Sequence, residues 1–307
     1  MAFELKQDEK IAKGVRRIVC KRIDKALEKL NGEKGAVNDS AVHDARKRFK
    51  EIRGTLRLVR EELGEKRFRR ENKIFRDAGR PLSVLRDAKV LIDTLDGLIA
   101  HFDGRVKPQS AARLRRALLG RRRDIREQVI KHDGAIPKIK RDIASARGRV
   151  ENWPLQRPGW KAIAGGIQKV YAQGHRAMTE VRENPSDASL HEWRKRAKDL
   201  RYELELLQSI WPETVKPLAD QAHRLTDLLG DDHDLSVLRT VAHEESEDRS
   251  SADDELLFAL IDERRTALQK EAREIGVKLY EETADDFVRR IKGYWKTSRQ
   301  LHAMQVH

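Results

Sequence analysis

Two stretches of this 307-residue chain concentrate side chains that grip phosphate-like anions: HDARKRFKEIR, beginning at His43, and HEWRKRAKDLR, beginning at His191. They agree at His, Arg, Lys, Arg, Lys and Arg and lie 148 residues apart, close to half the chain. The pattern reads as an internal duplication. Lysine and arginine give charge-assisted hydrogen bonds to phosphate oxygens, and arginine can hold two at once. Stacking like charges one turn apart costs a few tenths of a kcal/mol per exposed pair. A solvated basic face is the plain reading of such a run. Repetition of the polar positions, while the residues between them differ, favours a functional one.

On a helical wheel of about 100° per residue, His43, Arg46, Lys47, Lys50, Arg53 and Arg57 fall in an arc of roughly 120°. Ala45, Phe49, Ile52, Leu56 and Val59 fill the adjoining arc, so one face is core and the next is cationic. The second copy repeats this with His191, Arg194, Lys195, Lys198 and Arg201 beside Trp193, Ala197, Leu200, Leu204 and Leu207. Ser189 with Glu192 fits a capping box, which starts the second helix at Ser189 and puts His191 in its first turn. Ser40 is the matching cap of the first helix. An imidazole there lies near free backbone N–H groups at the positive end of the helix dipole, suited to an anion. Metal ligation lacks partners, because neither copy has a second His or Cys at a ligand spacing.

The elements that position these residues follow from the whole chain. Formal charge is +14, with 65 Lys and Arg against 51 Asp and Glu, so a negatively charged partner is expected. The one cysteine, Cys20, rules out an intramolecular disulfide and a Cys-rich zinc site. No apolar run approaches the roughly 18 residues of a membrane span, and the first residues lack a signal peptide's apolar region. A cytoplasmic protein with no cofactor and no metal is expected. Apolar residues recur at three- and four-residue spacing almost throughout, which predicts an all-α fold. Pro81, Pro108, Pro137, Pro154, Pro158, Pro185, Pro212 and Pro217 are read as helix ends. NGEKGAVNDS, before the first motif, is read as a loop, and Asn152–Gly166 as the join between two helical halves.

With these features assembled, the sequence resembles the CHAD family, the conserved histidine α-helical domain. The resemblance rests on the repeated His-x-x-Arg-Lys-Arg-x-Lys helix and on the segment from Gly166 to Pro212. It also rests on RDAGRPLSVLRDAKVL from Arg76 and LTDLLGDDHDLSVL from Leu225, which pair Asp87 with Asp234. The first of these stretches is similar to the family's helix pair after the first motif. The resemblance implies a single domain over 1–307, with repeat halves at about 10–150 and 160–300. Its fold would be two pseudosymmetric antiparallel four-helix bundles enclosing a central basic pore or groove.

The resemblance also implies that the ligand is inorganic polyphosphate, with association to polyphosphate granules and no catalytic residues. Carried over by position, the polyphosphate contacts are His43, Arg46, Lys47, Lys50, Arg53 and Arg57, with His191, Arg194, Lys195, Lys198 and Arg201. A second tier comprises Arg16, Arg17, Lys21 and Arg22 before the first motif, Lys169, His175 and Arg176 before the second, and Arg76, Arg80 and Arg86. Glu205 stands where the first copy has Arg57, so the halves should contribute unequally. Asp87 and Asp234 are read as orienting cations, since a carboxylate repels phosphate.

The dense basic run from Arg113 to Arg126 is read either as solvated surface or as a pore rim. His243–Glu255 is rich in acid and would make the exterior locally negative. Two other classes compete with the polyphosphate reading. A general nucleic-acid or polyanion binder would share the charge, although aromatics are only 5% and no stacking platform stands out. A metal-dependent phosphohydrolase would draw on His43, Asp44 and the run Asp231, Asp232, His233, Asp234.

Overall fold

The structure is a computed structural model that describes residues 3–32, 37–129, 134–245 and 252–305. Part of the NGEKGAVNDS loop and the middle of the acidic His243–Glu255 segment lie outside the described residues. Among those described there are helices and connectors but no strand, as the periodicity predicts.

The first half comprises α1 (Ile11–Asn31), α2 (Asp39–Leu58), the single turn α3 (Arg60–Leu63), α4 (Glu65–His101), α5 (Pro108–Glu127) and α6 (Ala135–Val150). A connector with one 3-10 turn (Gly159–Ala162) leads to α7 (Ala164–Glu183), α8 (Asp187–Leu207), α9 (Pro212–Glu244), α10 (Ala252–Leu279) and α11 (Ala284–Gln305). Helix α1 packs on α2, α2 on α4, α4 on α6 and α6 back on α1, closing one four-helix bundle. In the second half α7, α8, α9 and α10 pack in sequence. The Tyr171 hydroxyl donates to the carbonyl of Leu279 at 3.2 Å and ties the end of α10 back to α7. The halves meet where α2 touches α8 and α4 touches α9.

The apolar arcs of the two motif helices are the core. Ala45, Ile52, Leu56, Trp193, Ala197 and Leu200 have no exposed surface, and Phe49, Leu204 and Leu207 have almost none. That burial orients each helix, because rotating it would bring its cationic arc into the apolar interior.

Three sequence expectations need correction. Pro81 lies inside α4 and Pro217 inside α9, and Arg76–Leu91 belongs to one continuous helix instead of a helix pair. An interior proline costs about 3 kcal/mol. Burial of Phe75, Ala78, Leu82 and Leu85 on both sides of Pro81 offsets it. Helix α2 is capped by Asn38, whose Oδ1 accepts from the Ala41 amide at 2.8 Å, not by Ser40. Helix α8 is capped by Ser186, which exchanges hydrogen bonds with Ser189 in the capping box expected of Ser189 and Glu192. Each helix therefore starts earlier than expected. His43 and His191 fall in the second turn, past the free N–H groups.

Candidate anion-binding cavity

Helices α2 and α8 touch where the two halves meet. At their contact Gly54 faces Tyr202, and a Cβ on Gly54 would lie 2.7 Å from the Tyr202 Cβ. Only a residue without a side chain permits that approach. On the N-terminal side of the contact Arg46 lies near Arg194, and Lys50 near Lys198. Helices α4 and α9, which pack on each other, add Arg86 and Asp87 from the first and His233 and Asp234 from the second. Together they enclose a cavity of about 670 Å³.

The cations here are crowded and short of acid. Arg46 is buried; its Nε donates to Ser83 Oγ at 3.2 Å and its guanidinium reaches Asp87 at 3.7 Å. Arg86 sits 3.3 Å from Asp87 and 3.7 Å from Asp234, so both acids orient arginines. Arg53 donates to Asn72 Oδ1 at 3.0 Å, and Arg57 pairs with Asp199 at 3.1 Å. Burial, reinforced by Arg46, Arg86 and Arg194, pushes the Lys50 ammonium down to about 7. Lys198 is pushed well below the usual lysine range by burial and by Arg194 and Lys50. Burial and nearby Arg57 bring Arg53 down to about 10. Arg194 is lowered chiefly by burial, and its buried Nε has no hydrogen-bond partner. The rings of His191 and His233 lie 4.6 Å apart, tilted by 45°, and the buried Nδ1 of His191 is likewise unsatisfied. Burial and Arg194 hold both imidazoles below the usual histidine range.

Of the motif residues, Arg46, Lys50, Arg53, Arg57, His191, Arg194, Lys195 and Lys198 line the cavity, as do Arg76 and Arg86 from the second tier. Arg80 borders an adjoining recess of about 250 Å³ that shares Arg46, Lys50, Arg53 and Arg76 with it. His43 and Lys47 are exposed and do not line it, though His43 feels Lys50, Arg86 and Arg46. Arg201 is turned away. Its Nε donates to Glu205 at 2.7 Å and its Nη1 to Thr226 at 3.3 Å, because Glu205 replaces the cation found at Arg57.

The residues of α1 are placed elsewhere as well. Arg16 donates to the carbonyl of Trp153 at 2.8 Å, Arg17 bonds Glu9 at 3.0 Å, and buried Arg22 pairs with Glu51 at 2.8 Å. Lys21 shares their helix, which packs on α2 and α6. His175 and Arg176 on α7 are not among the lining residues, and Lys169 borders a separate hollow that shares only Arg57.

The basic run of α5 is paired surface. Arg115 binds Asp96 at 3.1 Å, Arg121 binds Glu244 at 3.0 Å, and Arg126 binds Asp39 at 3.3 Å. Sequence reading missed Arg196, Asp199, Tyr202 and His233 in the cavity wall. His233 had a signal, since the alignment of Asp87 with Asp234 places it opposite Arg86. The run from Asp231 to Asp234 does not converge: Asp232 is buried against Arg265 at 3.0 Å, His233 lies beside the His191 ring, and Asp234 faces Arg86. Among the described residues no group of three or more His, Cys, Asp or Glu is placed to hold a metal ion, and no helix is long and apolar enough to cross a membrane.

By class this is a helical protein whose two matched basic helices close on a cationic cavity. More narrowly, the chain belongs to the CHAD family: the CHAD domain model matches residues 21–243. The fold is similar to that of PptA from Streptomyces chartreusis, with a TM-score of 0.64 and 14% identity, over 89% of this chain and 100% of that one. It is also similar to the CHAD domain from the plant Ricinus communis, with a TM-score of 0.57 and 16% identity, over 96% and 95% of the two chains. No curated protein matches the chain in sequence.

Proposed function

We propose that the protein binds inorganic polyphosphate in the cavity between α2, α4, α8 and α9, and through it associates with polyphosphate granules. One observation carries the reading. Lys50 and Lys198 are brought together beside Arg46 and Arg194, while the nearest acids, Asp87 and Asp234, are already engaged by Arg46 and Arg86. Such a concentration of buried charge is unfavourable when empty and is relieved by a bound polyanion. Membership in the CHAD family supports the same ligand. The recess beside Arg76 and Arg80 continues the cavity, which suits a chain of phosphates better than a single one.

The protein binds without cleaving its ligand, since the acids of the wall are held by arginines. Incubation of protein and polyphosphate with magnesium or manganese therefore releases no phosphate. Binding is tested by comparing long-chain polyphosphate with duplex DNA, single-stranded RNA and heparin at matched salt. Polyphosphate should be preferred by about tenfold or more, because a narrow positive cavity concentrates potential. Equal affinities would reduce the protein to a general polyanion binder. Combining Arg46→Glu, Lys50→Glu, Arg194→Glu and Lys198→Glu abolishes binding with helicity retained; binding that persists would place the site elsewhere.

A further inference from the structure

The basic wall does not stop at the central cavity. Arg57, in the last turn of α2, also borders a second hollow of about 340 Å³ between the end of α2, α3 and the start of α7. Arg60, Arg157 and Lys169 surround it, with Glu61 and Glu65 as the opposing acids. Glu65 holds Arg60 at 2.7 Å, and Arg157 is shared between Glu62 at 3.1 Å and Glu61 at 3.3 Å. Lys169 is exposed beside them, so cations outnumber carboxylates. Gly165 and Gly166 form a wall without side chains. The Glu61 carboxylate lies so close to Gly165 that a Cβ there would collide with it. An anion belonging to the protein thus already occupies part of the hollow.

We infer that this hollow is a second anion subsite, which grips the emerging segment of a polyphosphate chain too long for the central cavity. The inference rests on the polyphosphate reading above. Arg57 stands in the wall of both spaces, so successive phosphates of one polymer can meet the same guanidinium from either side, whereas a short anion is satisfied by one space. Charge leaves two ways out of the cavity, this hollow and the acid-free recess beside Arg76 and Arg80. A third neighbouring recess, which shares Arg86 and Asp234 with the cavity, sets Asp93, Asp231 and Asp234 against Arg86 and Arg264 and so favours phosphate least. In the second hollow the incoming chain competes for Arg157 with Glu61, which lines the hollow, and with Glu62 behind it.

The test measures the affinity of the whole protein for long-chain polyphosphate and for tripolyphosphate, in the wild type and in two variants at exposed positions. Lys169→Glu should lower the ratio of long-chain to tripolyphosphate affinity about fivefold, through loss of one charge-assisted contact and added repulsion. Glu61→Gln should raise the ratio, because the competing carboxylate loses its charge. A ratio equal to that of the wild type in both variants, or shifted the same way in both, overturns the second subsite while leaving the central one standing. Wild-type protein that retains no polyphosphate of either length overturns the central reading and the subsite together.

Discussion

Lys50 and Lys198 face each other from equivalent positions of two helices, and neither can keep its proton at the usual lysine pKa. The unfolded chain holds those protons up to about pH 10.4, whereas folded Lys50 releases its own near 7. Between those limits the unfolded state binds more protons, so the ligand-free protein gains stability as pH rises and loses it as pH falls toward 7. A polyanion in the cavity restores the charged form. Binding above pH 7 should therefore take up protons and weaken as pH rises further. Calorimetry in buffers of different ionisation enthalpy reads this directly, and zero uptake would remove the lysines from the site. The helical wheel puts Lys47 and Lys50 in one arc, yet Lys47 is exposed and Lys50 lines the cavity. A wheel ranks directions around one axis; it does not say where the neighbouring helix stands.

At the scale of elements, the cavity depends on how closely helices approach. Gly54 admits α8 through Tyr202, and Gly166 admits the carbonyl of Leu58, which holds the start of α7 against the end of α2. Gly54→Ala meets the Cβ of Tyr202 at 2.7 Å, an atom no side-chain rotation can move, and should destabilise by about 1–3 kcal/mol, the usual range for overpacking. Gly166→Ala overlaps the Leu58 backbone more deeply, 2.2 Å from its carbonyl oxygen, and should cost more. Gly97→Ala in α4 meets nothing and should stabilise by about 0.5–1 kcal/mol through helix propensity. Urea midpoints of the three variants give the order; a neutral Gly166→Ala would show that α2 and α7 are not held at that contact. The sequence announced these helices by their periodicity. It did not announce that α4 passes through Pro81, because proline's local cost is outweighed by burial that only neighbouring helices supply.

At the scale of the molecule, charge is sorted rather than spread. Arginines of α5 and elsewhere on the surface are matched by local carboxylates, while those of the cavity share a few acids among many cations. Polyphosphate binding should accordingly release counterions. Affinity should fall by about a thousandfold between about 50 and 200 mM salt, as for ligands with several phosphate contacts. A shallow dependence, measured by titration across that range, would mean that the cavity cations are not the ones engaged.

The sequence by itself determined the all-helical fold, the apolar arcs that bury each motif helix, and the repeated cationic arcs beside them. Helical period and side-chain chemistry are local properties, so one strand of text carries them. Tertiary structure alone decided which cations of each arc share a space. Arg194 and Lys198 enter the cavity while Arg201 turns to Glu205, and the residues of α1 pair with acids and carbonyls far along the chain. Those outcomes depend on the distance and angle between helices, which are set where Gly54 lets two backbones approach.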